Sequence, residues 1–267
     1  MSILDLFRLE GQVAVVTGGS KGIGRGIALA LAEAGADVVV AARSRLEVEA
    51  VADEIRALGR RAAAFTADVA CREQVEALAQ AAVDRLGSLT IWVNNAGGLA
   101  DSPPRLLKDT VEDRWDALID INLKTVWTGS VAAARHMREG VILNITSIGA
   151  RLPRPMFGPL TAAKAAANHL TETLALELAP KVRVNAIGPG AIMTDQMLAV
   201  LPGFLNAGTG ACDDKALEAL KDHLKGPLGI PGAPQDIGAA AVYLASPAAK
   251  WITGTCLYVA GGLSTAT

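Results

Sequence analysis

Short runs of continuously apolar residues alternate with longer alanine-rich stretches along almost the whole chain of 267 residues. Such runs, without polar alternation, are typical of strands in a parallel sheet that is buried on both faces. Strand and helix in alternation predict right-handed βαβ units, and therefore an α/β protein with one doubly wound parallel sheet flanked by helices on both faces. The predicted strands span residues 13–17, 38–42, 62–66, 89–94, 141–146, 183–187 and 255–259.

The stretches between these strands have the apolar spacing of helices, and several end at a glycine. Predicted helices span residues 25–34, 46–58, 74–86, 111–137, 161–178 and 234–245. No linker-like or low-complexity segment divides the chain, so residues 1–267 are predicted to form a single domain. The least regular part is 193–232, which is rich in glycine and proline and has a candidate helix at 214–224. We expect this region to form a substrate lid beyond the carboxyl ends of the strands.

Charge and composition argue against several classes of protein. The formal net charge is −2 without a block of like charges, which disfavours nucleic acid and anionic membrane as partners. No apolar run reaches the roughly 18 residues needed to span a bilayer, and the first ten residues do not resemble a signal peptide. Three scattered cysteines suit reduced thiols in a cytoplasmic protein, and the three histidines lack the spacing of a metal site.

A glycine-rich turn follows the first strand and opens the first predicted helix. Its glycines allow a tight turn and a close approach of the backbone to a pyrophosphate, and the helix N-terminus offers free N–H groups. A plain connector is the alternative, but a glycine-rich turn after the first strand of an alternating α/β chain favours a dinucleotide site. The cofactor-binding residues predicted here are Gly18, Ser20, Lys21, Gly22, Ile23 and Gly24.

The end of the second strand indicates which dinucleotide is bound. An NAD site usually has an acidic residue there that accepts from the ribose 2′-hydroxyl, but this strand ends in Ala41-Ala42-Arg43-Ser44. Arg43 can pair with a 2′-phosphate through its planar guanidinium, and Lys21 adds a second positive charge nearby. The alternative is that both are solvated surface cations. Their joint placement around one predicted pocket favours NADP(H) as the cofactor.

Further motifs follow the later strands. They are Asn94-Asn95-Ala96-Gly97, Asn122, Asn144-Ile145-Thr146-Ser147 and, farther on, Lys164 and Pro189-Gly190. Together with the glycine-rich turn, they resemble the short-chain dehydrogenase/reductase family over essentially the whole chain. The sequence is similar to the bacterial branch that includes 7α-hydroxysteroid dehydrogenases and related mycobacterial oxidoreductases. The resemblance implies a Rossmann fold and NADP(H)-dependent hydride transfer between a ketone and a secondary alcohol.

The resemblance also implies roles for individual residues. Asn122 would hold a proton-relay water, Ser147 would hydrogen-bond the substrate oxygen, and Lys164 would bind the nicotinamide ribose and lower the pKa of a tyrosine phenol. The other implied cofactor contacts are Asp68 and Val69 at the adenine, Asn95, Ala96 and Gly97 at the ribose and sheet edge, and Pro189, Gly190, Ile192 and Thr194 at the nicotinamide end. Ser44, directly after Arg43, is also predicted to bind the cofactor. Helix 161–178 would form part of the interface of a homodimer or homotetramer, although packing on the sheet explains its alanines equally well.

The family's catalytic tyrosine is missing from this chain. The family pattern is Tyr-x-x-x-Lys, but Leu160 stands four residues before Lys164, at the usual spacing from Ser147 (160 − 147 = 13). Residues four apart share one helix face, so a tyrosine at this position would place its hydroxyl beside the Lys164 ammonium. Leucine has no proton to give or take. The two tyrosines of the chain, Tyr243 and Tyr258, lie far from Ser147 in the sequence, and packing explains them better than catalysis.

Three functions are consistent with Leu160, whether it is a natural or an engineered replacement. The first is a reductase with impaired turnover, in which Lys164 and a water relayed through Asn122 handle the proton. The second is a pseudoenzyme that binds NADP(H) without turnover, and the third is a non-redox reaction in the same cleft. The retained Asn122, Ser147 and Lys164 favour the first function. The apolar character of region 193–232 favours a small hydrophobic carbonyl or alcohol as the substrate.

Overall fold

The computed structural model describes residues 2–99, 104–199, 218, 220–222 and 224–264. Within these residues, seven parallel strands form one sheet in the order β3-β2-β1-β4-β5-β6-β7. The strands are β1 (Val13–Thr17), β2 (Asp37–Ala42), β3 (Ala62–Thr66), β4 (Ile91–Asn94), β5 (Gly140–Ile145), β6 (Val182–Pro189) and β7 (Cys256–Val259). All seven predicted strands are present with ends that differ by at most two residues, and the predicted single-domain, doubly wound sheet is confirmed.

Helices cover both faces of this sheet. They are α1 (Gly22–Glu33), α2 (Arg45–Ala57), α3 (Arg72–Leu86), α4 (Glu112–Ile119), α5 (Thr125–His136), α6 (Gly158–Leu178) and α7 (Pro234–Ala245). Helices α1 and α6 each begin three residues earlier than predicted, because glycine and proline near a helix start resemble a turn in the sequence. No helix in the described part of the chain is long and apolar enough to cross a membrane.

The predicted helical region 111–137 is not one continuous α-helix. A π-helical turn (Asp120–Lys124) separates α4 from α5, and the Thr125 N–H donates to the Asp120 carbonyl five residues back. This turn carries Asn122, which is fully buried. Such turns occur frequently at functional sites, but the apolar spacing of the sequence does not reveal the extra residue.

Side chains of the strands point alternately into two hydrophobic cores, one on each face of the sheet. Val38 and Val40 lie in the core shared with α1, α2 and α7, whereas Val39 lies in the core shared with α3, α5 and α6. All three valines are fully buried, which explains why the strands appear in the sequence as continuous apolar runs. Helices α1 and α7 pack closely, because Gly26 and Gly238 at their contact leave no room for a Cβ atom.

The sheet has a topological switch point between β1 and β4. The chain moves from β1 to β2 on one side and later returns to place β4 on the other side of β1. In doubly wound sheets, ligands bind in the crevice outside the carboxyl ends of the strands at such a point. Both the glycine-rich turn and the segment after β4 start from this edge of the sheet.

Only parts of the predicted lid, residues 193–232, are described. Residues 195–199 are helical, and Ile192 forms an isolated bridge with Gly232 at the base of the region. Within the candidate helix 214–224, residues 218, 220–222 and 224 are helical. Residues 200–217, 219 and 223 lie outside the described residues, and the lid stays a prediction.

Candidate active site

The glycine-rich turn between β1 and α1 forms a cradle with no room for side chains. Gly18 and Gly22 have positive φ angles of 62° and 53°. A Cβ atom on Gly24 would collide with the Gly18 carbonyl oxygen. Lys21 precedes α1 and makes no side-chain capping bond to it, so its side chain leaves the N–H groups of the first turn to a ligand. These features fit a pyrophosphate held at the start of α1.

Asn95 and Thr17 join the ends of β4 and β1 at the crevice. Asn95 Nδ2 donates to the carbonyl oxygens of Thr17 and Gly18 at 2.8 and 3.1 Å. The Thr17 hydroxyl accepts from the N–H groups of Asn95 and Ala96 at 3.0 and 3.2 Å. These bonds hold the glycine-rich turn against the segment after β4, so both face the same crevice. Sequence reasoning missed this role of Thr17, although the residue directly precedes the first glycine of the turn.

Gly97, Asn122 and Lys164 converge near the carboxyl end of β4. A Cβ atom on Gly97 would lie 2.8 Å from Asn122 Oδ1 and 3.4 Å from Lys164 Nζ. Asn122 Oδ1 accepts from the Gly98 N–H at 2.9 Å, and Nδ2 donates to the carbonyls of Gly98 at 2.8 Å and Leu118 at 3.0 Å. The Asn122 side chain therefore clamps the loop after β4. Its role in holding a water stays a prediction.

Lys164 is a buried cation beside a neutral hydrogen-bond partner. The residue is 6% exposed, and its Nζ donates to the Ile145 carbonyl at 2.8 Å. Burial disfavours the charged ammonium and lowers the pKa of Lys164 to about 8. At neutral pH the side chain still carries its proton, but it releases this proton more readily than an exposed lysine would.

Ser147 and the start of α6 form the neighbouring part of the site. Ser147 Oγ accepts from the Gly149 N–H at 3.0 Å, and none of the described residues accepts its hydroxyl proton. A Cβ atom on Gly149 would lie 3.4 Å from Ser147 Oγ and 2.9 Å from Thr161 Cγ2, so α6 borders the hydroxyl. Leu160 precedes Thr161, is half-buried, and lies one helical turn before Lys164. The helix turn before Lys164 therefore carries an alkyl side chain at this position.

The segment after β6 reaches the glycine-rich turn from the other side. Pro189 ends β6, and the Gly190 N–H bonds to the backbone of β7 at 2.9 Å. Ile192 is buried, and Thr194 begins the short helical segment 195–199. A Cβ atom on Gly22 would lie 3.3 Å from Thr194 Cγ2. Residues predicted at the pyrophosphate and at the nicotinamide end of the cofactor therefore border one crevice.

The pocket predicted for the 2′-phosphate contains an acid that sequence reasoning missed. Ser20 Oγ donates to Glu47 Oε2 at 2.9 Å, and Lys21 Nζ lies 3.4 Å from Glu47 Oε1. Arg43 is exposed and makes no salt bridge within the described residues. Ser44 Oγ accepts from the Glu47 N–H at 3.4 Å and caps α2. The Ser44-x-x-Glu47 pattern marks a helix start in the sequence, but it does not show that Glu47 reaches Lys21.

Asp68 and Val69 lie in the loop between β3 and α3. The exposed Asp68 carboxylate accepts from the Ala70 N–H at 3.0 Å, and the Asp68 N–H donates to Gln74 Oε1 at 2.9 Å. Val69 is half-buried against the core shared with α3, α5 and α6. The Asp68 carboxylate stabilises its own loop, and a contact of this loop with adenine stays a prediction.

The two tyrosines of the chain pack against the N-terminal segment and against α6. Tyr243 stacks on Phe7 with ring centroids 6.0 Å apart. The Tyr258 hydroxyl accepts from Asn168 Nδ2 at 3.2 Å, and burial raises the pKa of the Tyr258 phenol. A raised pKa makes a phenol a weaker acid, and these contacts agree with packing roles for both residues.

A glycine-rich turn and a helix N-terminus at the switch point of a parallel sheet define a dinucleotide-binding α/β protein. The family model of short chain dehydrogenases matches residues 12–201. An uncharacterised oxidoreductase of Mycobacterium tuberculosis is 45% identical over 266 residues, which cover 98% of this chain and 95% of that protein. A 3β-hydroxysteroid dehydrogenase of Eggerthella lenta is 40% identical over 264 residues, which cover 96% of this chain and 95% of that protein.

Solved structures show the same relationship in three dimensions. A 7α-hydroxysteroid dehydrogenase in complex with NADH and 7-oxo glycochenodeoxycholic acid is 36% identical and superposes with a TM-score of 0.87, covering 98% of both chains. The chain belongs to the short-chain dehydrogenase/reductase family, a family of oxidoreductases, and the predicted membership is confirmed.

Proposed function

We propose that this chain is an NADP(H)-dependent oxidoreductase that interconverts a ketone and a secondary alcohol, with turnover limited by Leu160. The observation that carries the proposal is the convergence of Gly97, Asn122 and Lys164 at the carboxyl ends of the central strands. Lys164 is bonded to the carbonyl of Ile145, two residues before Ser147, which supports a single crevice for the three polar side chains Asn122, Ser147 and Lys164. Relatives that dehydrogenate a hydroxyl group support the same class of reaction here.

The residues present fit a nicotinamide dinucleotide. When bound, NADP(H) supplies or accepts the hydride. The glycine-rich turn would hold the pyrophosphate, Arg43 and Lys21 the 2′-phosphate, and Lys164 the nicotinamide ribose. Ser147 would orient the substrate oxygen with the hydroxyl proton that its described neighbours leave unused.

The proton of the reaction passes through Lys164 in this proposal, because Leu160 has none to offer. Burial lowers the pKa of Lys164 to about 8, so the ammonium is present at neutral pH and is acidic enough to donate. A water relayed through Asn122 would return the proton. The missing phenol leaves this route slower than a tyrosine-based one.

Replacing Leu160 with tyrosine tests this proposal. Leu160→Tyr adds a phenol on the helix face of Lys164, and we expect NADPH-dependent reduction of a ketone panel to rise about 10²–10⁴-fold, the usual contribution of general acid catalysis. NADPH oxidation by the purified protein measures the change. Leu160→Phe, which adds the ring without the hydroxyl, is the matched control and should stay at the level of the unsubstituted chain. No turnover in either the unsubstituted chain or Leu160→Tyr would overturn the proposal.

A second candidate function is NADP(H) binding without turnover, which Leu160 itself favours because the residue lacks any acid–base chemistry. Tight NADPH binding without turnover, even in Leu160→Tyr, would identify the protein as such a pseudoenzyme. Product formed without consumption of NADPH would instead identify a non-redox reaction in the cleft.

The choice of NADP(H) over NAD(H) has a separate test at Arg43. Removing the guanidinium in Arg43→Ala should weaken NADPH binding by about tenfold or more, since bonds to a charged phosphate are among the strong ones. The affinity for NADH should not change, and equilibrium titration of nucleotide fluorescence measures both. Arg45→Ala removes an exposed arginine two residues farther on and serves as the control. An unchanged NADPH affinity in Arg43→Ala would contradict the assignment.

We also propose a small hydrophobic carbonyl or alcohol as the substrate and a cytoplasmic homodimer or homotetramer as the working form. The apolar sequence of region 193–232 supports such a substrate. Cys71 and Cys256 are free thiols, which supports a reducing compartment. The groove between α5 and α6, where Trp127 is 43% exposed beside the half-buried Leu123 and Leu170, supports association of copies.

A further inference from the structure

Glu47 lies between the glycine-rich turn and the loop after β2. Its two carboxylate oxygens contact different residues of the turn: Oε2 accepts from Ser20 Oγ at 2.9 Å, and Oε1 lies 3.4 Å from Lys21 Nζ. The Gly19 N–H donates to the Ala41 carbonyl at 3.1 Å and keeps the turn against the end of β2. Glu47 therefore occupies the edge of the pocket in which a 2′-phosphate is proposed to bind.

The Glu47 carboxylate does not act as a helix cap. Ser44-x-x-Glu47 is the capping-box pattern, in which the glutamate accepts from the backbone N–H of the serine. Only half of this box forms here, because Ser44 Oγ accepts from the Glu47 N–H while both Glu47 oxygens bond to Ser20 and Lys21. The side chain is directed toward the cofactor pocket rather than toward its own helix.

The two cations of the pocket differ in their surroundings. Lys21 is paired with Glu47, whereas Arg43 makes no salt bridge in the described part of the chain. The hydrogen bond from Ser20, together with the charge of Lys21, lowers the pKa of Glu47, so its carboxylate is ionised at neutral pH. A carboxylate repels a 2′-phosphate and competes with it for Lys21, but it can accept a hydrogen bond from a 2′-hydroxyl.

We propose that Glu47 is a specificity-determining residue that weakens the preference of this site for NADP(H) over NAD(H). The inference rests on the proposed binding of the 2′-phosphate by Arg43. Glu47 holds the Lys21 ammonium in a salt bridge and repels the 2′-phosphate. Arg43 therefore supplies nearly all of the attraction for this phosphate. The pocket consequently keeps affinity for both dinucleotides.

Neutralising Glu47 tests this role by equilibrium binding, without any need for turnover. In Glu47→Gln, the Kd for NADPH should fall about three- to tenfold, while the Kd for NADH stays within about twofold or rises. A several-fold effect is expected because the side chains of Lys21 and Glu47 are 74% and 43% exposed, and water screens exposed charges. Glu49→Gln is the matched control, since it removes the same charge from α2 at a carboxylate that faces Arg56 at 3.9 Å. Glu49→Gln should leave both affinities unchanged.

A second pair of variants measures the competition for Lys21 directly. Lys21→Met should weaken NADPH binding by about twofold in the unsubstituted chain, where Glu47 holds the ammonium. The same change should weaken it by about fivefold or more in the Glu47→Gln background, where the ammonium is released to the phosphate. Equal effects of Lys21→Met in both backgrounds would overturn the proposed competition.

The outcomes separate this inference from the proposed cofactor choice. If Arg43→Ala weakens NADPH binding but Glu47→Gln leaves the NADPH/NADH preference unchanged or reduced, the role of Glu47 is wrong and the NADP(H) assignment stands. If Arg43→Ala has no effect on NADPH, the NADP(H) assignment fails first. Glu47→Lys, which reverses the charge, should strengthen the NADPH preference beyond that of Glu47→Gln, and a weaker preference would also overturn the inference. Circular dichroism of each variant confirms that the helices are retained.

Discussion

At the scale of single residues, Leu160 matters because of the residue one helical turn after it. Lys164 donates to a neutral carbonyl, that of Ile145, and Leu160 provides no phenolate that could stabilise the ammonium. Desolvation therefore acts without a compensating charge and lowers the pKa of Lys164 to about 8. The titration of this lysine is consequently the property in which the apolar character of Leu160 is most directly measurable.

The contribution of Lys164 to the stability of the protein should rise with pH as the residue loses its proton. Its pKa is about 8 in the folded protein and about 10.4 in an unfolded chain, so the unfolded chain binds more protons between these two values. Stability then increases as pH rises through this window, by at most about 3 kcal/mol from this group. Urea unfolding from about pH 7 to about pH 10.5 measures the change, and Lys164→Met should lack this component. An identical pH dependence in both proteins would mean that burial does not shift the pKa of Lys164.

At the scale of helices and strands, the π turn between α4 and α5 decides where Asn122 lies. The extra residue of the turn places this asparagine in the interior, where its side chain bonds to both backbone groups of Gly98. The neighbouring Gly97 has φ 158°, and any Cβ atom there would press on Asn122 Oδ1. The π turn and this glycine together allow the Asn122 side chain to lie against the loop after β4.

A chain of buried hydrogen bonds connects α5 and α6 through the central strands. Asn94 Nδ2 donates to Ser130 Oγ of α5 at 3.0 Å and to Asn144 Oδ1 at 2.8 Å. Asn144 Nδ2 in turn donates to Thr171 Oγ1 of α6 at 2.9 Å. Because Lys164 lies on the same helix as Thr171, about two turns away, this chain also positions the lysine.

Removing the last acceptor of that chain should destabilise the protein. Thr171→Val keeps the shape of a side chain that is 1% exposed, but it leaves Asn144 Nδ2 without its partner. The free energy of unfolding should fall by about 1–3 kcal/mol, the cost of an unsatisfied buried donor. Thr128→Val of α5 is the control, because its half-buried hydroxyl bonds to the Thr125 carbonyl of its own helix, and its effect should stay within about 0.5 kcal/mol. If the two substitutions lower the free energy of unfolding in urea equally, the buried chain of hydrogen bonds contributes nothing to stability beyond helix propensity.

At the scale of the whole molecule, the order of the strands assembles the site. Residues after β1, β4, β5 and β6 meet because these strands are parallel and adjacent, and all of them end at one edge of the sheet. The proposed nicotinamide side at Thr194 thereby touches the glycine-rich turn at Gly22, although β2 to β6 separate the two in the chain. Such an edge can host many reactions, and the side chains at the strand ends decide among them.

The groove between α5 and α6 is the surface at which we expect copies of the chain to associate. This groove has an apolar part and a charged part. Its apolar lining is Ile119, Leu123, Trp127 and Leu170, and the ion pair of Asp120 with Lys124 also lines it. Trp127→Arg should shift the mass measured by light scattering toward the monomer, because an unpaired charge inside an interface is costly. Leu46→Arg adds the same charge at an exposed leucine of α2, 85% exposed, and should leave the mass unchanged. An unchanged mass for Trp127→Arg, in a protein that is oligomeric without it, would exclude this groove as the interface.

Most of the fold was predictable because its signals are local and strong. Val38–Ala42 is an uninterrupted apolar run, and such a run predicts a buried parallel strand whatever surrounds it. The differences lie where local signals conflict, as at the start of α6, where Gly158 and Pro159 resemble a turn but begin the helix. The π turn at Asp120–Lys124 was not predictable, because one inserted residue hardly changes the apolar spacing on either side.

By itself, the sequence determined the parallel sheet, the glycine-rich turn and the position of Leu160 four residues before Lys164, because each is a property of neighbouring residues. It also placed Leu160 and Lys164 on one helix face, since four residues make about one turn. Only the tertiary structure decided that Glu47 meets Lys21 and that Lys164 is buried deeply enough to lower its pKa. Both depend on which strands lie side by side and on what covers them, and neither the order of the strands nor the depth of burial is encoded in a local pattern.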